Sequence, residues 1–197
     1  MGTRHLIAVQ LDGEYKVAQY GQWDGYLEYQ GKNVLNFLRE MDRPKFETAL
    51  RKCSFMTEQD FDDLDKEIEK KRAYNFAYDW TQEYPHLSRS MSSEILNKIQ
   101  ESEGLKLKNS ISFAVDSLFC EWAYVIDLDK NTFEIYEGFN KEPLSEGERF
   151  KDVVGDDVND EYYPVRKVAE YNLDKLPSDE EFLILSKALQ LSSSISE

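Results

Sequence analysis

The sequence has few of the residues that most often build catalytic centres and metal sites. Its 197 residues include 2 histidines, His5 and His86, and 2 cysteines, Cys53 and Cys120. Two histidines are too few for a histidine-rich metal site, and the cysteines lack the Cys-x-x-Cys spacing of redox motifs. We therefore expect no metal, no cofactor, and two buried thiols in a reducing compartment.

Long apolar runs and low-complexity tracts are also missing. No stretch approaches the roughly 20 apolar residues that span a bilayer, and the first residues lack the basic and apolar regions of a signal peptide. Aromatic residues, by contrast, are plentiful, with 11 Phe, 12 Tyr and 3 Trp, as is typical of a folded protein. This predicts a cytoplasmic protein that makes no membrane contact, and it leaves the oligomeric state open.

Positive charge is scarce. The chain has 24 basic and 39 acidic residues, and residues 111–197 carry −12 of the net charge of −15. Direct nucleic-acid binding needs a basic face and is therefore not expected. The acidity serves solubility, or it docks the chain on a protein partner with a basic surface. On the second interpretation the binding residues are Asp156, Asp157, Asp160 and Glu161, in a long polar loop.

Hydrophobic periodicity predicts an α+β fold. Asp12-Gly13 is a hairpin turn signal between two β-compatible runs, and residues 32–102 carry helical patterns. Strand-like runs return within 111–137 and again at 164–171, before a final helix that opens with a capping box at Ser178. A two-stranded ribbon is marginal alone, so we expect the hairpin to join the later strands in a mainly antiparallel sheet.

One domain accounts for the length of the chain. We place it at residues 1–190, with the helical segment 32–102 between the hairpin and the later strands. Residues 191–197 are predicted to form a frayed tail, because short terminal segments without apolar periodicity rarely pack.

Candidate catalytic residues lie at the chain start and beyond the hairpin. Antiparallel strands of similar length bring Thr3, Arg4 and His5 beside Asp24. A carboxylate on glycine-flexible backbone can orient a cation or a hydroxyl, which makes Thr3, Arg4 and Asp24 candidates for catalysis. A structural interpretation is simpler: Asp24 is a turn residue before Gly25, and Arg4 is its ion-pair partner. Both place Asp24 within hydrogen-bond reach of the chain start.

Aromatic residues surround this aspartate. Trp23, Tyr26 and Tyr29 could form the rim of a binding site. Packing in the core is the more ordinary role for such rings, and the sequence favours it. Trp23 and Tyr26 are nevertheless our candidate binding residues.

One acidic motif imitates a calcium loop. Asp127, Asp129 and Asn131 have the spacing that begins such a loop. Thr132 and Gly138 stand where a calcium loop needs glycine and glutamate, so the motif predicts a hairpin turn instead.

Four stretches carry a resemblance to known proteins. The opening Gly2-Thr3-Arg4 and the segment 22–26, Gln-Trp-Asp-Gly-Tyr, resemble a family of uncharacterised bacterial and phage proteins. Residues 121–129 and 133–139 are similar to the same family. The resemblance implies no activity, and Leu27 replaces a proline that many members carry. The resemblance implies a phage-encoded factor that acts on a host defence system, for example as an inhibitor.

A more distant likeness is to N-terminal nucleophile hydrolases of the choloylglycine type. Those proteins begin at a cysteine, form a hairpin and place an aspartate about twenty residues later, a layout that Thr3 and Asp24 follow. Gly2, however, gives the chain start no side-chain nucleophile. We therefore expect a non-catalytic, acidic protein-binding factor, with an amide hydrolase that uses the Thr3 and Asp24 region as the alternative.

Overall fold

A five-stranded sheet organises the molecule. The computed structural model describes residues 2–155 and 161–195. Its strands are β1 (His5–Leu11), β2 (Glu14–Gly21), β3 (Ser54–Phe55), β4 (Lys106–Leu107), β5 (Trp122–Asp127), β6 (Thr132–Glu137) and β7 (Arg166–Asn172). The large sheet has the order β2-β1-β5-β6-β7, and only β1 and β5 pair in parallel within it. β3 and β4 form a separate parallel pair. The predicted α+β class and the union of hairpin and later strands are confirmed.

Five α-helices lie between β2 and β5 together with β3 and β4, and a sixth ends the described chain. They are α1 (Lys32–Glu40), α2 (Arg43–Lys52), α3 (Glu58–Tyr74), α4 (Trp80–Glu83), α5 (Glu94–Gln100) and α6 (Asp179–Ile195). The predicted capping box of α6 is present, since Ser178 and Glu181 exchange hydrogen bonds of 2.7 and 3.2 Å. α6 continues into the segment predicted as a frayed tail. Among the described residues, none of the helices has the length and apolar composition to cross a bilayer.

The sheet is covered on both faces. Side chains alternate along each strand, so Ile7 and Val9 of β1 pack with α1, α2, α5 and α6 in one core cluster. Leu6 and Ala8 point to the opposite face. There they pack with Phe150, which belongs to the long connection between β6 and β7, in a second cluster. In the described part of the chain, irregular segments and a short 3-10 helix, rather than α-helices, therefore close the second face.

One predicted strand is wrong. Ile111–Val115 forms a 3-10 helix. An isolated parallel bridge joins Asn109 to Ala18 of β2, after which the chain turns across the second face of the sheet. Ala114 is buried there, and its carbonyl accepts the Val165 N–H at 2.9 Å. A short apolar run fits a strand and a turn packed on a sheet equally well.

The two tight hairpin turns meet at one end of the sheet, which we call the hairpin end. Asp127 Oδ1 accepts the N–H groups of Asp129 and Lys130 at 3.1 and 2.9 Å. The Asp129 carboxylate accepts the N–H groups of Asp12 and Gly13 at 2.8 and 2.9 Å. The acidic motif is thus a hairpin turn, as the sequence predicts, and it also fixes the first hairpin to the second.

Candidate functional site

All five strands of the large sheet end in register opposite the hairpin end. One row across the sheet contains a terminal residue of each strand, namely Gly21, His5, Trp122, Glu137 and Arg166. Beyond this row lie the chain start and four loops. These loops follow β2, precede β5, follow β6 and precede β7. We call this region the aromatic end of the sheet, for the residues described next.

Six large aromatic side chains are exposed at the aromatic end. Each is between 42% and 60% exposed, and each lies in a loop that follows β2, precedes β5, follows β6 or precedes β7. They are Trp23, Tyr26, Tyr29, Phe119, Phe139 and Tyr163. The expectation that the first three pack in the core is wrong, because only Leu27 of the loop after β2 enters a core cluster, while Trp23, Tyr26 and Tyr29 remain about half exposed. A concentration of exposed rings at one place is typical of an interaction surface.

Backbone hydrogen bonds hold the loop that carries Trp23 and Tyr26. The Gly25 N–H donates to the Thr3 carbonyl at 2.9 Å, and the buried Tyr124 hydroxyl donates to the Gly25 carbonyl at 2.7 Å. A Cβ at Gly25 would lie 2.8 Å from the Thr3 oxygen, so only glycine fits there. The loop is therefore fixed against both the chain start and the sheet.

The candidate catalytic residues do not come together. Thr3 is buried. The Arg4 guanidinium lies 4.3 Å from the centre of the Phe119 ring rather than beside Asp24. Asp24 is exposed in the left-handed region, at φ 56°, and its carboxylate makes no hydrogen bond or ion pair within the described part of the chain. The loop does reach the chain start, as strand lengths predict, but through the Gly25 backbone.

His5 is the most unusual polar group near the site. It is fully buried, and both ring nitrogens lack a hydrogen-bond partner among the described residues. Burial lowers the pKa of His5 to about 4, against a smaller opposing effect of the Thr3 carbonyl. A Cβ at Gly21 would lie 2.2 Å from Nε2, and one at Gly25 would lie 2.9 Å from Nδ1. The neutral imidazole therefore fills a space between two glycines.

A buried ionic cluster lies on the second face of the sheet. Arg149, in the β6–β7 connection, donates from Nε and Nη2 to both oxygens of Glu134 at 2.7 and 2.6 Å. Nη2 also donates to Asp127 at 2.5 Å, and Nη1 donates to Gln10. Burial would lower the pKa of Arg149, but the carboxylates outweigh burial and raise it. The cluster anchors the connection on the sheet.

This cluster is not predicted by the sequence patterns. A signal for it was Glu134, an acidic residue in the middle of an apolar strand. No feature of the neighbouring sequence indicates that Arg149 is the partner of Glu134. The predicted acidic binding residues Asp156, Asp157 and Asp160 lie outside the described residues, and Glu161 is exposed. Within the described ranges, no group of three or more His, Cys, Asp or Glu side chains is placed to hold a metal ion.

Comparison with known proteins adds no relative from which a role could be carried over. No family model matches the sequence, and no curated protein or solved structure matches it significantly. Function must therefore be argued from the side chains themselves. At the aromatic end of the sheet, exposed aromatic side chains lie on or beside a loop that backbone hydrogen bonds fix. This end is our candidate functional site.

Proposed function

We propose that the protein is a non-catalytic binding factor that docks on a protein partner through the aromatic end of the sheet. The observation that carries the proposal is the group of six half-exposed aromatic side chains there. Tyr and Trp are enriched at the energetic centres of protein interfaces, because each supplies a large contact area at a low cost in conformational entropy. The fixed loop of Trp23 and Tyr26 adds preorganisation, which lowers the cost of binding.

The charge of the chain supports a partner with a basic surface. The net charge of −15 would attract such a partner over the Debye length and repel acidic surfaces such as nucleic acids. The acidic residues Asp156, Asp157, Asp160 and Glu161 would contribute mainly to the association rate, which salt screens. The resemblance to phage proteins favours a host protein as the partner.

The arrangement of the candidate catalytic residues also supports a binding role. Arg4 is engaged with Phe119, and Asp24 lies on the surface without a group to orient. Nucleophilic catalysis needs a nucleophile and a base within hydrogen-bond reach of each other. Thr3 and Asp24 show no such contact.

The proposal is tested by removing aromatic rings that lie outside both core clusters. Tyr26 and Phe139 are about half exposed, so the Tyr26→Ser, Phe139→Ser double variant should fold normally. Phe61→Ser, Phe76→Ser is the matched control, because it removes two exposed rings from α3 and the loop beyond it. Immobilised full-length chains are incubated with host lysate at physiological salt, and the captured proteins are quantified by mass spectrometry.

We expect a protein that the wild type and the control retain and the Tyr26, Phe139 variant loses. An equal set of captured proteins on all three chains would contradict docking at the aromatic end. Thermal unfolding of each variant shows whether the fold is unchanged.

The alternative function is amide hydrolysis at the chain start. The hydrogen bond between Thr3 and Gly25 favours this alternative, because the bond brings the chain start beside the loop of Asp24. N-terminal nucleophile hydrolases have the same layout. Such a mechanism needs a free amine on Thr3. A mature protein that begins at Thr3, as measured by intact-mass spectrometry, would favour the hydrolase over the binding factor.

A further inference from the structure

The loop of residues 22–29 combines uncovered aromatic rings with an unpaired carboxylate. Elsewhere the chain supplies its own cations to aromatic rings, at distances of 4.3 to 5.9 Å from the ring centres. These contacts are Arg4 on Phe119, Lys71 on Tyr78 and Tyr84, Lys108 on Trp80, and Lys141 on Tyr162. No described cation covers Trp23, Tyr26 or Tyr29, and none pairs with Asp24.

The Trp23 ring and the backbone that carries Tyr26 and Tyr29 are held in place before any partner binds. The Trp23 indole rests against the chain start, since a Cβ at Gly2 would lie 2.4 Å from Trp23 Cε3. The Tyr29 N–H donates to the Tyr26 carbonyl at 3.1 Å, at the start of a π-helical turn. One part of the indole is thus supported by the backbone while half of its surface remains exposed.

Asp24 lies between two of these rings in the sequence. Its left-handed backbone is fixed by the bond from Gly25 to Thr3 on one side. On the other side, the Asp24 carbonyl accepts the Gln30 N–H at 3.3 Å. Aspartate and asparagine adopt this backbone conformation more readily than other non-glycine residues. The loop therefore places the exposed carboxylate of Asp24 and three half-exposed aromatic rings within eight residues.

We propose that residues 22–29 bind an arginine side chain of the protein partner, with the guanidinium stacked on the rings and paired with Asp24. The proposal rests on the function proposed above and names what the aromatic end recognises. Cations are attracted to the faces of Trp and Tyr. Arginine is favoured over lysine, because its planar guanidinium stacks on aromatic rings and bonds a carboxylate with two N–H groups. Arg4 on Phe119 shows the same contact within this surface.

The test uses a peptide probe and the full-length chain. Acetylated, amidated tetra-arginine is titrated into the ¹⁵N-labelled protein, and the indole N–H resonance of Trp23 is followed, assigned with a Trp23→Phe variant. Tetra-citrulline, a neutral isostere, and tetra-lysine are titrated in parallel. We expect a saturable shift with tetra-arginine, weaker binding of tetra-lysine and no shift with tetra-citrulline.

A pair of charge variants separates the loop from the general acidity of the chain. Asp24→Asn removes the carboxylate and keeps a residue that tolerates the left-handed backbone. Asp62→Asn removes one exposed charge from α3, on another surface. An exposed ion pair is worth about a two- to five-fold change in affinity. We therefore expect Asp24→Asn to raise the Kd for tetra-arginine about two- to five-fold and Asp62→Asn to leave it unchanged.

Three results would overturn the proposal: an unmoved Trp23 resonance, equal binding of tetra-lysine, or equal weakening by the two charge variants. The last would mean that net charge alone attracts the peptide. If the lysate experiment still shows capture through Tyr26 and Phe139, arginine recognition fails while docking at the aromatic end stands. If that capture is also lost, both proposals fail.

Discussion

Arg149 provides the sharpest test of the energetics of this fold. Its side chain is 8% exposed and neutralises two buried carboxylates, Asp127 and Glu134. Arg149→Met keeps most of the side-chain volume and leaves both carboxylates buried without a cation. Removing one partner of a buried ion pair typically costs about 3–5 kcal/mol, so we expect a loss of that size at pH 7. Arg166→Met is the control, because Arg166 pairs with Glu137 at the surface and should contribute about 0–1 kcal/mol.

The pH dependence of this loss has a definite sign. In the wild type, burial would raise the pKa of Glu134, but the Arg149 guanidinium outweighs burial and lowers it. The stability that Glu134 contributes is therefore present above its unfolded pKa and is lost as the pH falls. In Arg149→Met the pKa of the buried Glu134 should rise above the unfolded value, because burial then acts without the guanidinium. The cost of burying its charge therefore appears only as the pH rises through the folded pKa. The difference between the two proteins should shrink from pH 7 to pH 4.5.

Urea unfolding at the two pH values measures this difference, since contributions common to both proteins cancel. A third chain, with Arg149→Met, Asp127→Asn and Glu134→Gln together, should recover much of the lost stability. Asparagine is isosteric with the Asp127 side chain that it replaces, and its amide oxygen can still accept the turn N–H groups. The reasoning is refuted if Arg149→Met costs no more than Arg166→Met, or if its cost is the same at pH 4.5 as at pH 7.

Two further changes probe other parts of the structure. His5→Leu should flatten the acid dependence of stability. The folded-state pKa of about 4 lies below the ordinary 6.5, so the wild type loses up to about 3 kcal/mol of stability as the pH falls from 6.5 to 4. If the free energy of urea unfolding changes equally with pH in the two proteins across this range, the imidazole is not buried in its neutral form. Asp129→Ala removes the acceptor of the Asp12 and Gly13 N–H groups and should lower the melting temperature by about 2–4 °C. An unchanged melting temperature would mean that the turns do not stabilise each other.

Local signals in the sequence predicted the local parts of the fold. Asp12-Gly13 marks the first hairpin because its backbone preferences lie within the turn itself. Ser178 and Glu181 mark the start of α6 for the same reason. The parallel pairing of β1 with β5 has no such signal, since more than one hundred residues separate His5 from Trp122 in the sequence. Sequence patterns indicated that the hairpin joins a larger sheet, but not along which edge.

One contact of the candidate site was predicted from the sequence, and its chemical basis was not. Strand lengths correctly placed the chain start beside the loop after β2, yet the bond is made by Gly25 and not by Asp24. Exposure of Trp23 and Tyr26 depends on the direction in which that loop leaves the sheet, which is set by the contacts of Gly25 with Thr3 and Tyr124. Periodicity cannot report such contacts, because they join residues far apart in the sequence.

The topology of the sheet explains why exposed rings collect at one end. Tight turns join β1 to β2 and β5 to β6 at the hairpin end, where Asp129 closes them against each other. The two long connections, from β2 to β5 and from β6 to β7, both leave and re-enter the sheet at the aromatic end. Long connections carry binding residues more often than tight turns do, because they tolerate variation while the sheet holds their ends. Changes at the hairpin end should therefore act on stability, as in Asp129→Ala, whereas Tyr26→Ser should act on binding with the melting temperature unchanged.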